Sequence, residues 1–232
     1  MNTDTGGKKP YHFGNLKEAL IEQGIALIHE EGIEKFSLRK AAKKVGVSAA
    51  ACYNHFGNME ELLREMYTYV IDRFAAALKQ AVEDNPCHHV TISMGVAYVE
   101  FFAEYPHYFN FLFDSEYLGI QIKETEITWN SSFTPFEIFV TGAKRGMREL
   151  NIDEKELRDD LLVMWAAVHG LAAMANIKGV QYNNGDWGAL TERILQSNAV
   201  TYAKGGGTYY DGNRSNQSKT RSPELYGETA LT

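Results

Sequence analysis

The chain has 232 residues, 44% of them hydrophobic, and a formal net charge of −7. That length accommodates one large domain, or a small domain followed by a larger one. The longest apolar run, residues 161–175, is too short to span a bilayer, so we predict a buried helix there and no membrane protein. No signal peptide is expected, because residues 1–9 are polar. Cys52 and Cys87 form neither a disulfide framework nor a metal-ligand spacing, so we expect reduced thiols, a cytoplasmic location, no metal and no cofactor.

The negative net charge by itself argues against nucleic-acid binding, but the charge is unevenly distributed along the chain. Residues 1–60 carry eight basic and seven acidic side chains, whereas the remainder carries 15 basic and 23 acidic ones. Five cations, from Lys35 to Lys44, are followed by no acid until Glu60. Because salt screens the distant acidic part, this local positive charge decides the attraction to phosphates. A solvated basic helix face is the alternative interpretation.

Helical periodicity runs through nearly the whole chain, and no convincing strand alternation is present. The pattern predicts an all-α fold: an N-terminal three-helix helix-turn-helix domain plus a C-terminal helical domain for ligand binding and dimerisation. We expect boundaries at residues 1–58, 59–203 and 204–232, the last being a disordered polar tail. The predicted helices span residues 15–31, 37–45, 48–55, 58–85, 89–104, 106–113, 124–150, 153–178 and 186–202.

Local signals place several of these boundaries. Ser37 and Ser48 are predicted N-caps, and Asn58 with a Glu three residues later is a capping box. Gly46 suits a turn with positive φ between two short helices. Pro135 is expected to kink or break the helix predicted at 124–150.

The small residues around Gly46 are typical of a tight helix-turn-helix. Ala42 permits close approach of the second helix of the pair, and Cys52 is predicted to fill the core beneath the recognition helix as a buried small hydrophobe. Ordinary helix hairpins share this pattern, so by itself it is only moderately specific.

The wider string is more specific. The segments FSLRKAA (36–42), VGVS (45–48), YNHF (53–56) and EELL (60–63) resemble the DNA-binding domain of the tetracycline-repressor (TetR) family. YHFGNL (11–16) and WAAVHG (165–170) resemble one branch of that family, in which a Trp-x-x-x-His-Gly motif lies in the C-terminal half. Met59 departs from the pattern, because a lysine is usual there, and its absence removes an expected phosphate contact.

The resemblance implies that the short third helix enters the major groove of an operator in double-stranded DNA. The implied DNA-binding residues are Ser37, Arg39, Lys43, Ser48, Ala49, Ala50, Ala51, Tyr53, Asn54 and His55. Alanines offer only methyl groups to thymine, so base reading falls to Arg39, Asn54 and Tyr53. Phe56 is interpreted as a core aromatic, and His55 as either a DNA contact or a surface histidine.

The C-terminal half is rich in aromatic side chains that suit an apolar pocket with few polar groups. We expect a small apolar or aromatic effector to contact Phe102, Phe109, Phe113, Trp129, Phe133, Trp165 and His169. Trp165, His169 and Asn176 share one face of the helix predicted at 153–178, whereas Ala166, Gly170 and Ala173 share another. The second face is assigned to a homodimer interface with residues 187–195.

Two functions are compatible with the sequence. The leading hypothesis is a ligand-responsive transcription regulator, a repressor that its effector releases from DNA. The alternative is an all-α enzyme or a carrier of lipids or small molecules. No nucleophile–base pair, phosphate loop or paired carboxylates can be recognised, so an enzyme is not expected. Residues 87–89, Cys-His-His, are a poor metal site because adjacent side chains diverge.

Overall fold

A computed structural model describes residues 16–84, 89–149 and 157–204. The α-helices of these segments are α1 Leu16–Glu31, α2 Leu38–Val45, α3 Ala49–Tyr53, α4 Met59–Asp84, α5 Val90–Glu104, α6 Pro106–Phe113, α7 Thr134–Glu149, α8 Leu157–Ala175 and α9 Trp187–Lys204. Short 3-10 turns occupy Ile33–Lys35, Glu116–Leu118 and Asn183–Gly185. The predictions for residues 1–15, 85–88, 150–156 and 205–232, including the tail, lie outside the described segments.

The first three helices fold around a small apolar core. One side of α1 is buried through Leu20, Ile21 and Ile25. Helix α2 buries Leu38, Ala41, Ala42 and Val45, the face that the 3.6-residue period predicts. A Cβ atom at Gly24 would lie 2.0 Å from Cε of Met66, so glycine permits the close approach of α1 and α4. The predicted helix-turn-helix domain is therefore confirmed.

The C-terminal domain is built around α5, which contacts α4, α7, α8 and α9. It has buried residues on every side, among them Val90, Met94, Tyr98, Val99 and Phe102. Such all-round burial is typical of a helix at the centre of a bundle. Helix α4 starts beside the helix-turn-helix and continues into this bundle, and α6 contacts both α1 and α4. The all-α, two-domain architecture predicted from the sequence is confirmed.

The helix predicted at residues 124–150 is wrong in its first part. The structure has an antiparallel hairpin there, β1 Gln121–Ile122 and β2 Ile127–Thr128, in which Ile122 pairs with Ile127. Helix α7 begins only at Thr134, so Pro135 lies in its first turn, where no backbone N–H is required, and no kink results. The sequence has no convincing strand alternation here, because strands of two residues are too short to show one.

In the described segments, no helix combines the length and the apolar character needed to cross a membrane. The same residues contain no cluster of three or more side chains suited to a metal ion. Of the weak candidate at 87–89, only His89 is described. Its Nδ1 lies 2.7 Å from Oγ1 of Thr91, and its Nε2 lies 3.3 Å from the carbonyl oxygen of Gly146.

Candidate DNA-binding surface and ligand cavity

The turn between α2 and α3 has the geometry that the sequence predicts. Gly46 adopts φ 84° and ψ 26°, a left-handed conformation that favours glycine, and its N–H donates to the carbonyl oxygen of Ala42 at 2.9 Å. Ser37 Oγ accepts from the N–H of Lys40 at 3.3 Å, and Ser48 Oγ accepts from that of Ala51 at 3.2 Å. Both serines are therefore N-caps, and α3 is held at a fixed angle to α2.

The start of α4 is capped in a related way. Asn58 Oδ1 accepts from the N–H of Glu61 at 2.8 Å, and Glu61 Oε2 accepts from the N–H of Gly57 at 2.8 Å. This is the predicted capping box, with the Glu61 carboxylate reaching one residue further back than the cap itself. The loop that links α3 to α4 is thereby fixed.

Helix α3 buries one side and exposes the other. Cys52 and Phe56 are fully buried, which confirms both as core residues, and burial raises the pKa of the Cys52 thiol. Tyr53 is 58% exposed, an unusual exposure for a large aromatic side chain. The structure brings all ten predicted DNA-binding residues to α2, α3 and their flanks, where Arg39, Lys43, Ser48, Ala50, Tyr53, Asn54 and His55 are exposed and Ser37, Ala49 and Ala51 are half-buried.

Ion pairs modify the positive charge expected on α2. Nζ of Lys40 lies 2.5 Å from Oε2 of Glu31, and Nζ of Lys44 lies 3.2 Å from Oε2 of Glu30. The Lys40 hydrogen bond lowers the pKa of the Glu31 carboxyl. Residues 35–44 contain no acid themselves, but the end of α1 lies beside α2 and brings Glu31 and Glu30 next to two of its lysines. Among the described residues, no carboxylate forms an ion pair with Arg39 or Lys43.

A cavity of about 130 Å³ lies inside the C-terminal domain. Its wall is formed by α4, α5, α7 and α8, with single residues from elsewhere: His89 before α5, Phe113 of α6, Phe133 before α7 and Leu195 of α9. The lining is overwhelmingly apolar and aromatic, with polar groups from His89, Thr91 and Asp160 and with the Tyr98 ring. No lysine or arginine of the described segments contributes to it. The interior therefore suits an uncharged molecule better than an anion.

The predicted effector residues divide into two groups. Phe113, Phe133 and Trp165 line the cavity. Phe102, Phe109, Trp129 and His169 are not part of its lining and pack among other aromatic rings instead. Their assignment to direct ligand contact is therefore not supported by their positions. Composition identifies an aromatic interior, but it does not show which ring of a packed cluster faces the empty space.

His169 lies next to the cavity behind Tyr98. Its Nδ1 is 2.9 Å from the hydroxyl oxygen of Tyr98, and the two groups share a hydrogen bond. Its ring also lies beside those of Phe109, Phe113 and Trp165. Desolvation lowers the pKa of His169, and burial raises the pKa of Tyr98, so both groups are held in their neutral forms.

Several lining residues were not predicted from the sequence. They include Phe74, Met94, Gly95, Phe139 and Met164. A Cβ atom at Gly142 would lie 2.3 Å from Cε of Met94, and one at Gly146 would lie 2.4 Å from Cε1 of His89. The two glycines, four residues apart on α7, let α5 approach closely at this end of the cavity. That spacing is visible in the sequence and is a signal that could have located this wall.

The small-residue face of α8 reaches the surface. Ala166 is exposed, Gly170 and Ala173 are half-buried, and a Cβ atom at Gly170 would meet nothing within 4 Å. Val163 on the same helix and Ile177 just beyond its end are each more than half exposed. Within the segment predicted as the partner of this face, residues 187–195, Trp187 and Thr191 are buried in their own chain.

The structure thus defines a class of protein: an all-α chain in which an N-terminal helix-turn-helix is joined to a helical domain with an internal cavity. Comparison with known proteins agrees. Residues 20–66 match the family model described as "Bacterial regulatory proteins, tetR family". Residues 20–66 are therefore similar to the helix-turn-helix domain of TetR-type regulators.

One curated relative and two solved structures extend the comparison. The uncharacterized HTH-type transcriptional regulator YobS of Bacillus subtilis (strain 168) is 23% identical over 114 residues, which are 49% of this chain and 58% of that protein. The chain therefore matches less than two thirds of that relative's length. The TetR family regulator PfmR of Thermus thermophilus superimposes with a TM-score of 0.56 at 17% identity, covering 76% of this chain and 91% of that one. FadR of Bacillus subtilis, solved with stearoyl-CoA, gives 0.58 at 13% identity, covering 77% and 96%. At such identities the two structures show the fold alone.

Proposed function

We propose that this protein is a transcription regulator that binds an operator in double-stranded DNA through α2 and α3. The observation that carries the proposal is the exposed side of α3, where Tyr53, Asn54 and Ala50 face solvent, while the adjoining helix α2 exposes the cations Arg39 and Lys43. A capped short helix with polar tips and methyl groups suits the major groove, where base edges offer both hydrogen-bonding groups and thymine methyls.

We further propose that the protein works as a homodimer. One α3 helix spans too few base pairs for specific binding, whereas two related by a twofold axis read two half-sites. The exposed apolar side chains of α8 and its small residues, Ala166, Gly170 and Ala173, support an interface on this helix. Small residues let two helices approach closely, and burial of the apolar side chains would stabilise the pair.

The effector that the cavity supports is a small uncharged aromatic or alicyclic molecule. A cavity of about 150 Å³ accommodates benzene, so a volume of about 130 Å³ suits one ring. The lining has no cation for a carboxylate or phosphate among the described residues. Wall residues Phe74 on α4 and Phe113 at the end of α6 belong to helices that touch α1. Occupancy of the cavity that shifts these helices would lower DNA affinity, which is repression relieved by ligand.

The function is tested in two steps. Duplexes selected from a random pool are measured against salt, and we expect affinity to fall steeply as salt rises, since phosphate contacts release counterions. The selected duplex is then titrated with toluene, or with benzoate as the matched anionic control. We expect toluene to raise the melting temperature and weaken DNA binding, and benzoate to do neither. If no duplex can be selected, the proposed function as a transcription regulator is contradicted. If benzoate acts like toluene, only the proposal that the effector is uncharged is contradicted.

A further inference from the structure

A partly buried polar cluster joins the helix-turn-helix domain to the rest of the chain. The Glu22 carboxylate on α1 accepts two hydrogen bonds at Oε1, from the Tyr69 hydroxyl of α4 at 2.5 Å and from the Tyr108 hydroxyl of α6 at 2.6 Å. Nη1 of Arg73 lies 3.7 Å from the same oxygen and donates to the Tyr69 hydroxyl at 2.9 Å. One carboxylate of the DNA-binding domain is thus held by two helices at once. We call these four residues the Glu22 cluster.

The environment of the cluster favours a single arrangement. Tyr108 is fully buried. Desolvation is the main cause that raises the pKa of Tyr108 and of Tyr69, and the hydrogen bond to Glu22 is the second, so both hydroxyls stay protonated and donate. The Arg73 guanidinium lies over three rings, with centroids 5.4 Å away for Tyr69, 5.2 Å for Tyr105 and 5.8 Å for Tyr108. Charge-assisted hydrogen bonds with fixed donors specify geometry more strongly than apolar contacts do.

The same two helices reach the cavity. Phe74 follows Arg73 on α4 and lines the cavity, and α6 ends at Phe113, which lines it too. Phe101 of α5 bridges the two regions, since its ring stacks on Phe74 with centroids 5.2 Å apart and lies 6.0 Å from that of Tyr108. Aromatic packing therefore runs without a break from the cavity wall to the Glu22 cluster.

We propose that Glu22 is a positioning residue that fixes the orientation of the helix-turn-helix relative to the cavity wall. The apolar contact of Gly24 with Met66 ties α1 to α4, but the hydrogen bond from Tyr108 ties α1 to α6 as well. Movement of either helix is then passed to α1 through this carboxylate, alongside the contacts of Tyr69 with Glu18 and of Asn110 with His29, each at 3.1 Å. The effect on DNA binding rests on the proposed function. The fixing of the orientation by the Glu22 cluster does not, because it depends only on contacts within the chain.

The test compares Tyr108→Phe with Tyr67→Phe. The first substitution removes the hydroxyl that binds Glu22 and keeps the ring. Tyr67 is buried on α4 two residues before Tyr69, and its hydroxyl has no hydrogen-bond partner among the described residues, so the second is a matched control. Single-molecule energy transfer is measured between dyes at Glu34→Cys and Thr141→Cys, with Cys52 and Cys87 replaced by alanine. Labelled protein is diluted with excess unlabelled protein, so that any dimer carries one dye pair.

We expect Tyr108→Phe and Glu22→Ala to broaden or shift the energy-transfer distribution. Glu22→Gln should have an intermediate effect, because it keeps an acceptor oxygen. Tyr67→Phe should leave the distribution unchanged. Affinity for a selected duplex should fall about tenfold in Tyr108→Phe, as loss of one hydrogen bond to a charged group predicts. Melting temperature is recorded for every variant, and Tyr69→Phe serves if Glu22→Ala does not fold. An unchanged distribution in Tyr108→Phe overturns the proposal. If the distribution changes but the protein binds no duplex, the role of Glu22 in fixing the orientation of the helix-turn-helix is supported, whereas the proposed function as a transcription regulator is contradicted.

Discussion

The imidazole of His169 meets the ring of Phe113 edge to face, with ring centroids 4.6 Å apart. Phe113 closes part of the cavity wall, and His169 supports it from a position outside the lining. The histidine therefore acts on the shape of the cavity through its neighbours, Phe113 and Tyr98. Its role is accordingly open to tests of stability as well as of ligand binding.

Stability should fall as the pH is lowered through the range where histidine titrates. Desolvation lowers the pKa of His169 from its ordinary value of 6.5, so the unfolded chain binds the proton first. The contribution of this residue to the free energy of unfolding is then complete above about pH 6.5 and decreases below it. Urea unfolding between pH 5 and 8 measures the slope, at roughly one-unit steps. A His169→Phe variant should show a shallower slope, and an equal slope would show that another group, such as His107, dominates.

The Tyr98–His169 hydrogen bond should be measurable in a double-mutant cycle. His169→Phe removes one partner and leaves the buried Tyr98 hydroxyl without this hydrogen bond, so we expect a loss of about 1 kcal/mol in the free energy of unfolding. The double variant with Tyr98→Phe should lose less than the sum of the single variants, because no unpaired group remains. Additive losses would show that the bond contributes nothing.

Arg39 and Lys43 should have different effects on DNA binding. Loss of a bidentate guanine contact in Arg39→Ala should weaken specific binding by about 1–3 kcal/mol and relax one base position. Lys43→Ala should weaken binding to all sequences and reduce the salt slope by about one. Lys40→Ala is the control, since that ammonium is already paired with Glu31. If Arg39→Ala lowers the affinity for selected and random duplexes equally, Arg39 contacts a phosphate rather than a guanine base.

The alanines at the start of α3 predict readout through methyl groups. Ala50 is exposed, and its side chain offers no hydrogen bond. Replacing thymines of a selected half-site by uracil, one at a time, removes only the C5 methyl group. We expect one or two positions to lose about 0.8 kcal/mol, the value of a buried methylene. Ala50→Gly should abolish this difference at the same positions, and thymine preference that survives in Ala50→Gly would assign the methyl contact to another residue.

Gly46 and Gly170 should respond to alanine in opposite ways. Gly46→Ala forces a side chain into φ 84° and should destabilise the domain by about 1–2 kcal/mol. Gly170 lies within α8 with nothing near its Cβ position, so Gly170→Ala should stabilise an isolated chain by about 1 kcal/mol. If α8 forms the dimer interface, the same variant should weaken association in sedimentation experiments. Unchanged association would move the interface elsewhere.

The sequence was most informative where local chemistry decides the structure. Serine caps, a glycine turn and a 3.6-residue apolar period are local, so α1 to α4 begin and end within a few residues of their predicted positions. The stretch before α7 was mispredicted because the hairpin at Ile122 and Ile127 depends on tertiary packing, Ile127 being buried. Local periodicity carries no signal for such a short pair of strands.

The cavity was predicted as a property but not as a set of residues. A helix such as α5, apolar all round, gives no periodic clue to the side that faces empty space. Met94 and Gly95 were therefore missed, whereas His169 lies outside the lining and is hydrogen-bonded to Tyr98. The ion pairs of Lys40 and Lys44 with carboxylates of α1 were also missed, because they join residues of two different helices and depend on how those helices pack.

Those two ion pairs bear on how the protein would find its site in a genome. Two of the four cations of α2 are occupied by carboxylates, which leaves Arg39 and Lys43 to meet phosphates from that helix. Fewer neutralised phosphates mean weaker attachment to unrelated sequence. Each random encounter would then be brief, and the search would proceed by many short visits through solution rather than by long sliding along one duplex.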